Sequence, residues 1–413
     1  MGMLDPFRDL SRAQRNAFIA SLAGWSLDAF DFFVFVFALK SIAGDLHSTV
    51  KAVSEGIFLT LAMRPLGALF FGWLAEKYGR RPILMVNVVS YSVFELASAF
   101  APDLRTLLVL RALFGFAMGG EWGVGAALAL ESLPAKGRGT FSGILQEGYV
   151  LGYLLASALF AFGFTALGWR GMFVVGACPA LLVLYIRAHV AESPAWLAGR
   201  QAKPAGARAS FAAIAAHLPM FLFLVVLMAC FNAFSHGSQD LYPTFLQVQH
   251  GYSPAVTGTI AIVYNVGALL GGIAFGTISE RLGRRRAIAL AALLALPMIP
   301  LWAFSATPLL FAIGGFLMQF MVQGAWGIVP AHLNELAPPG ARAILPGFAY
   351  QLGNLLMSRM GPFQAGIAEA RGNDYAYALA WTVAVVGVVL AIVVMLGRER
   401  KSADLHSAGE AAG

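Results

Sequence analysis

The chain has 413 residues, of which 59% are hydrophobic and only 12% charged, with a formal net charge of +7 and a mean hydropathy of +0.73. Soluble globular chains carry roughly twice that charged fraction, so most of this protein belongs in lipid. Two cysteines, Cys178 and Cys230, cannot build a disulfide framework or a thiolate metal site, and no grouping of His, Cys and Asp at ligand spacing points to an enzyme, a metal or a cofactor.

A helix needs about 20 residues to cross the hydrocarbon. Twelve such stretches are predicted, at 17–39, 54–75, 83–101, 106–131, 141–165, 169–189, 216–245, 255–278, 287–305, 308–334, 343–367 and 374–396. The polar start "MGMLDPFRDLSRAQRN" leads into a full-length apolar segment with no cleavage site after it, which reads as a retained helix and not a signal peptide. With the amino end inside, twenty Lys and Arg fall in inner loops and five in outer ones. Basic loops favour the cytoplasmic side, so both termini are expected there, and the positive charge is mostly a topology signal with no nucleic-acid reading.

In chain order, the first span places Asp28 and Asp31 on one face, where two like charges in a dry site compete. The second carries Arg64 just before Pro65 and Gly67, which reads as a packing or gating residue. In the fourth, Arg111 opens "RALFGFAMGG", where Gly115 and Gly119 allow a neighbouring helix to approach closely; Glu121 follows. Glu147 lies early in the fifth span. The seventh ends in "FNAFSHGSQDLYPTF", 231 to 245. Here Asn232, His236, Gln239 or Asp240, and Thr244 recur at helical spacing, with Ser235 beside them. Polar groups at this depth are expensive, so the stripe must face the bundle interior or a cavity, and an Asp and a His one turn apart point to function more than to interhelical glue. Pro243 is expected to bend or loosen this helix near its outer end. Ser235 and His236 are adjacent and do not face one another, which disfavours a nucleophilic triad. The eleventh span carries Gln351 and Arg359.

"GWLAEKYGRR" (72–81) repeats as "GTISERLGRR" (276–285), 204 residues later. The register recurs in Trp122 and Trp326, in Glu131 and Glu335, in Arg138 and Arg342, and in Glu147 and Gln351. Six helices are therefore duplicated in the same membrane orientation. The expected division is a six-helix half at 1–189, a cytoplasmic linker at 190–215, a second half at 216–396 and a tail at 397–413. Arg80 or Arg81 is expected to pair with Glu131, and Arg284 or Arg285 with Glu335, in a cytoplasmic gate that includes Glu76 and Glu280.

These residues resemble the major facilitator superfamily over nearly the whole chain. Glu76 and Glu280 stand where the family's loop more often has Asp, and "ESPAWL" (192–197) resembles another of its signatures. The resemblance implies an all-α membrane protein with twelve helices in two repeats, whose third helix is peripheral, so that Glu95 is disfavoured as a proton site. Asn232, Ser235, His236, Ser238, Gln239, Asp240 and Thr244 fill every specified position of the seventh-helix signature of the Jen-type lactate and pyruvate symporters, within the sialate:proton symporter family. "GWSLDAFDFF" (24–33) is similar to that family's first helix.

The resemblance implies proton-coupled import of a short monocarboxylate by alternating access. It also implies substrate contact by the fourth-helix arginine, Arg111, and by the glutamine of "YQLGN", Gln351. Asn232, His236 and Gln239 are expected to join them, with Arg359 the rival to Arg111. Candidate proton carriers are Asp28, Asp31, Glu121, Glu147, His236 and Asp240, with Asp240 and His236 first and Asp28 or Asp31 second. The alternatives are a carrier of an aromatic acid or sialate and, less favoured, a non-transporting nutrient sensor. Expected partners are a small organic anion, the proton and the bilayer, for a monomer in a bacterial inner membrane; the short loops without an Asn-x-Ser/Thr acceptor suit that location.

Overall fold

In lipid a helix satisfies its backbone hydrogen bonds within one segment, and among the described residues every regular element is helical. The structure, a computed structural model, describes residues 10–132, 144–193, 197, 216–336 and 345–399. The first half contains α1 (Arg12–Asp45), α2 (Val50–Tyr78), α3 (Arg80–Ala99), α4 (Leu104–Ser132), α5 (Gly148–Val175) and α6 (Ala180–His189). The second contains α7 (Leu218–Gln239), α8 (Tyr242–Val248), α9 (Pro254–Leu282), α10 (Arg284–Ala295), α11 (Ile299–Ala303), α12 (Pro308–Trp326), α13 (Val329–Leu336), α14 (Leu345–Met357), α15 (Met360–Ala370) and α16 (Tyr375–Leu396).

Ten stretches among the described residues are long and apolar enough to cross a membrane. The other two predicted crossings, the sixth and the eleventh, are each broken. Gly168, at φ 60° and ψ −177°, turns the chain between the fifth and sixth crossings. A turn at 176–179 then interrupts the sixth before α6. The eleventh breaks at Ser358 and Arg359, because Pro362 has no N–H to donate to the Ser358 carbonyl. The polar seventh crossing also divides: α7 stops at Gln239 and α8 resumes at Tyr242, with Pro243 in its first turn.

The internal repeat holds in three dimensions. A Cβ on Gly67 would lie 1.7 Å from the Phe116 carbonyl oxygen, and one on Gly271 would lie 2.0 Å from that of Phe320. These contacts, 204 residues apart, press α2 on α4 and α9 on α12 at backbone distance. Gly79 (φ 108°) and Gly283 (φ 92°) make matching left-handed turns into α3 and α10, where a side chain would be strained.

The halves meet through α1 against α8, α2 against α14 and α15, and α5 against α9. Phe32 to Leu39 of α1 are buried all round, which explains a run with no polar face. At the end of the bundle opposite the Arg-rich loops, contacts cross between halves. Lys40 Nζ donates to the Gln247 carbonyl at 2.7 Å, Arg359 pairs with Glu55 at 2.8 Å, and the Lys51 N–H donates to Glu369 at 3.3 Å. At the basic end, the hydrogen bonds and ion pairs described below stay inside one half. The bundle is thus joined at its far end, with a cavity on the basic side of that junction.

Candidate functional site

The cavity, together with the open solvent at its mouth, takes in about 560 Å³, and both halves line it. Arg64, Glu147 and Asn232 supply its polar wall with Ser235 and His236, while Phe32, Tyr149, Trp326 and Tyr350 supply aromatic surface. Toward the far end, the hydroxyls of Tyr153 on α5 and Tyr264 on α9 hydrogen-bond across the halves, and Phe33 stacks on Tyr153 at 3.5 Å between ring centroids. This aromatic layer separates the cavity from the far-end junction.

All the stripe residues of the seventh crossing are buried, including Asn232, His236, Gln239, Asp240 in the break between α7 and α8, and Thr244. They divide by what they touch. Asn232 and His236 face the cavity, the former donating to the Met228 carbonyl one turn back at 2.8 Å. Gln239 turns away to Gln319 on α12, donating at 2.8 Å. His236 Nδ1 stands 3.1 Å from Asp240 Oδ2, and its Nε2 stands 3.3 Å from Asn354 Oδ1 on α14. Both ring nitrogens thus stand within hydrogen-bond distance of a side-chain oxygen. Asn354 carries no role in the sequence reading, although it is the last residue of "YQLGN". Gln351, one turn earlier, is buried, but its neighbour Tyr350 lines the cavity in its place.

The three arginines read from the sequence sort differently from expectation. Arg111, expected at the substrate, donates to Glu95 at 2.5 Å and to Ser98 at 2.8 Å, and its guanidinium lies over the Phe114 ring at 4.4 Å. It does not line the cavity; the carboxylate it holds belongs to the protein. Glu95, disfavoured as peripheral, is fully buried because α3 turns it inward to that guanidinium. Arg359, the rival, is largely exposed and sits with Glu55 in the far-end junction, because the break before α15 carries it out of the helix face that Gln351 occupies.

Arg64 instead lines the cavity. Only 2% of it is exposed, neither Nε nor Nη2 has a hydrogen-bond partner among the described residues, and its nearest carboxylate, Asp28, is 4.0 Å away. Gly119 permits this position: a Cβ there would lie 2.0 Å from the Arg64 carbonyl oxygen, so α4 supports the arginine's backbone directly. Position 268 in the second repeat is alanine, so the cation belongs to one half only. Its depth in an apolar span was the legible signal, one shared with Arg111 and Arg359; the direction of the side chain was not legible.

Glu147 sits just before α5, lines the cavity, and reaches the second half, where a Cβ on Gly272 would meet its Oε1 at 2.8 Å. Asp28 and Asp31 are both fully buried, with Asp28 behind Arg64 and Asp31 on the side of Arg111 and Glu95.

At the basic end, Arg284 forms the expected pair with Glu335 at 3.1 Å and adds Glu280 at 2.7 Å. Arg285 does not share that role: its side chain donates to the carbonyls of Val394 and Met395 on α16. The backbone N–H groups of Arg80 and Arg81 donate to Glu192, and those of Arg284 and Arg285 donate to Glu399, so a carboxylate closes each helix start where the macrodipole favours it. The side chain of Arg81 reaches the Arg187 carbonyl at 2.7 Å. The side chains of Glu76 and Glu131, expected in the first gate, lie outside the described residues.

The chain resembles known proteins along both halves. Residues 17–219 match the family described as Sugar (and other) transporter, and residues 225–412 match the Major Facilitator Superfamily. A carboxylic acid transporter protein homolog of Saccharomyces cerevisiae is 30% identical, over 95% of this chain and 69% of its own length. The sialic acid transporter NanX of Escherichia coli is 29% identical, over 84% of this chain and 85% of its own. The xylose transporter XylE of E. coli, in a partially occluded inward-open conformation, shares the fold with a TM-score of 0.74 at 18% identity, covering 95% of this chain and 99% of that one. Duplicated six-helix halves, a cavity between them and relatives on this scale lead to one assignment: the chain is a membrane transporter of the major facilitator superfamily, in its sialate and Jen-like branch.

Proposed function

We propose that this protein is a proton-coupled symporter that imports a short monocarboxylate, such as lactate or pyruvate, by alternating access. The observation that carries the reading is Arg64: a buried guanidinium at the cavity wall, with two nitrogens lacking hydrogen-bond partners among the described residues. A desolvated carboxylate needs such a donor, because a guanidinium replaces its water with two charge-assisted hydrogen bonds. Asn232 and His236 across the cavity are placed to receive the remaining oxygen or a hydroxyl. The carboxylic and sialic acids named for the two relatives support an organic anion as cargo.

With the basic end in the cytoplasm, as positive-inside loops favour, the cavity faces inward and the far-end junction is the closed outer gate. The intended setting is a bacterial inner membrane with both termini inside. His236, held between Asp240 and Asn354, joins α7 to α14, so a change in its protonation alters a contact between two helices of the same half.

The test is uptake of labelled L-lactate into proteoliposomes with and without an inward proton gradient, comparing wild type with Arg64→Ala and Arg111→Ala. Gradient-driven uptake is expected in wild type and lost in Arg64→Ala. Uptake of sialate or benzoate in place of lactate would overturn the monocarboxylate reading, and full activity in Arg64→Ala would remove the anion from this arginine. The aromatic or larger acid is the second reading, favoured by one observation: Phe32, Tyr149, Trp326 and Tyr350 give the cavity four ring surfaces on which a planar acid would stack.

A further inference from the structure

The wall behind Arg64 holds more carboxylates than cations. Asp28 on α1 stands 4.0 Å from Arg64, and Glu121 on α4 approaches the same helix where it carries no side chain: a Cβ on Gly24 would lie 2.4 Å from Glu121 Oε1. Both acids are fully buried, and none of their four carboxylate oxygens has a hydrogen-bond partner among the described residues. Arg64 is the guanidinium whose charge acts on both. The second buried guanidinium, Arg111, is engaged with Glu95 at 2.5 Å. Among the described residues, the other titratable groups facing the pair are Asp31 on α1, Tyr91 on α3 and Tyr149 on α5.

We propose that Asp28 and Glu121 form a proton-binding pair whose load is set by what Arg64 holds, so that one proton accompanies each monocarboxylate. This rests on the reading of Arg64 as the anion site. The charge count follows from the side chains. With no anion present, Arg64 and a pair holding a single proton sum to zero. An incoming carboxylate takes the guanidinium and adds a negative charge. A site without water favours neutrality, since an uncompensated buried charge is costly. A second proton, taken from cavity water past Arg64, therefore forms an O–H bond with the remaining carboxylate. The loaded set is neutral again, which is the form that can be enclosed when the halves rock. When the anion leaves on the other side, Arg64 returns to Asp28, and that O–H bond breaks to give its proton to water. Glu121 is the second member of the pair: it keeps the resident proton when Arg64 returns to Asp28, so that the two carboxylates are never both charged in the buried site.

Two measurements test the pair. The first needs no substrate: infrared difference spectra of the purified protein across a pH step, read at the C=O stretch of protonated carboxyl groups. A pH-dependent band is expected in wild type, lost or displaced in Glu121→Gln and in Asp28→Asn. Bands and titration unchanged in both variants would overturn the proposal. The second uses L-lactate in proteoliposomes. The ratio of gradient-driven accumulation to counterflow is expected to fall by about tenfold or more in Glu121→Gln, with a flattened pH profile; an unchanged ratio would sink the coupling role. If wild type moves no lactate, the anion reading fails while the infrared arm still judges the pair. If Glu121→Gln does not fold, Asp28→Asn carries both measurements.

Discussion

Arg359 reaches Glu55 across the two halves, 2.8 Å from guanidinium to carboxylate, and joins the break between α14 and α15 to the start of α2. With Lys40 on the Gln247 carbonyl and Lys51 against Glu369, it fastens the far end of the bundle. Both partners are partly exposed, so the pair is worth about 0–1 kcal/mol. Arg359→Gln is expected to raise the population open at the far end by up to about fivefold at low salt, and salt should erase the difference. Spin-label distances across that end would show it; identical distributions at low salt would mean that the pair carries no gating energy.

Arg111 and Glu95 make the opposite kind of pair, buried at 1% and 0% exposure. Removing one member leaves a charge in the membrane interior, so Arg111→Met is expected to destabilise the protein by about 3–5 kcal/mol. The double variant Arg111→Met with Glu95→Leu should recover most of that loss, because both charges are gone. Thermal unfolding in detergent separates the outcomes. A double variant no more stable than the single one would show that the pair does more than neutralise itself.

The glycines at 67 and 271 predict a symmetric cost. Alanine at either places a Cβ within 2.0 Å of a carbonyl oxygen on the neighbouring helix, forcing backbone apart, and each should cost about 1–3 kcal/mol. Gly44→Ala meets nothing within 4 Å and lies inside α1, where alanine is preferred, so it should be neutral or stabilise by up to about 0.5–1 kcal/mol. Unequal losses at 67 and 271, measured by the same unfolding assay, would mean that the two repeats relax differently around one contact.

Trp326 bears on which acid is carried. Its ring packs edge-on to Phe231 and to Tyr350 at the cavity wall. Trp326→Ala would enlarge the cavity on the second-half side. If the natural cargo is a short acid, the variant should gain benzoate uptake relative to lactate by about 10–200-fold, the range a few apolar contacts supply. A fall in benzoate uptake instead would show that the indole is a stacking platform for an aromatic substrate.

Much of the architecture was legible in the chain. Apolar runs of crossing length, basic loops on one side and a repeat at 204 residues identify two six-helix halves, because lipid excludes open backbone and duplication preserves spacing. The two crossings that came out broken did so at the 176–179 turn and before Pro362, where the sequence shows the residues but not that the helix yields there. The polar stripe from Asn232 to Thr244 was likewise readable as interior, since no such stripe can face hydrocarbon.

The ranking of the arginines was not readable. Arg64, Arg111 and Arg359 are each a cation in an apolar stretch, and nothing local distinguishes them. The tertiary structure does so by bringing Glu95 to Arg111 from a neighbouring helix, Glu55 to Arg359 from the other half, and only a distant Asp28 to Arg64. Hydropathy and periodicity record how costly a charge is at a given depth. Which acid meets it depends on the rotation and crossing of separate helices, set by close contacts such as Gly119 on Arg64 and Gly67 on Phe116, and no single segment of the sequence contains both partners.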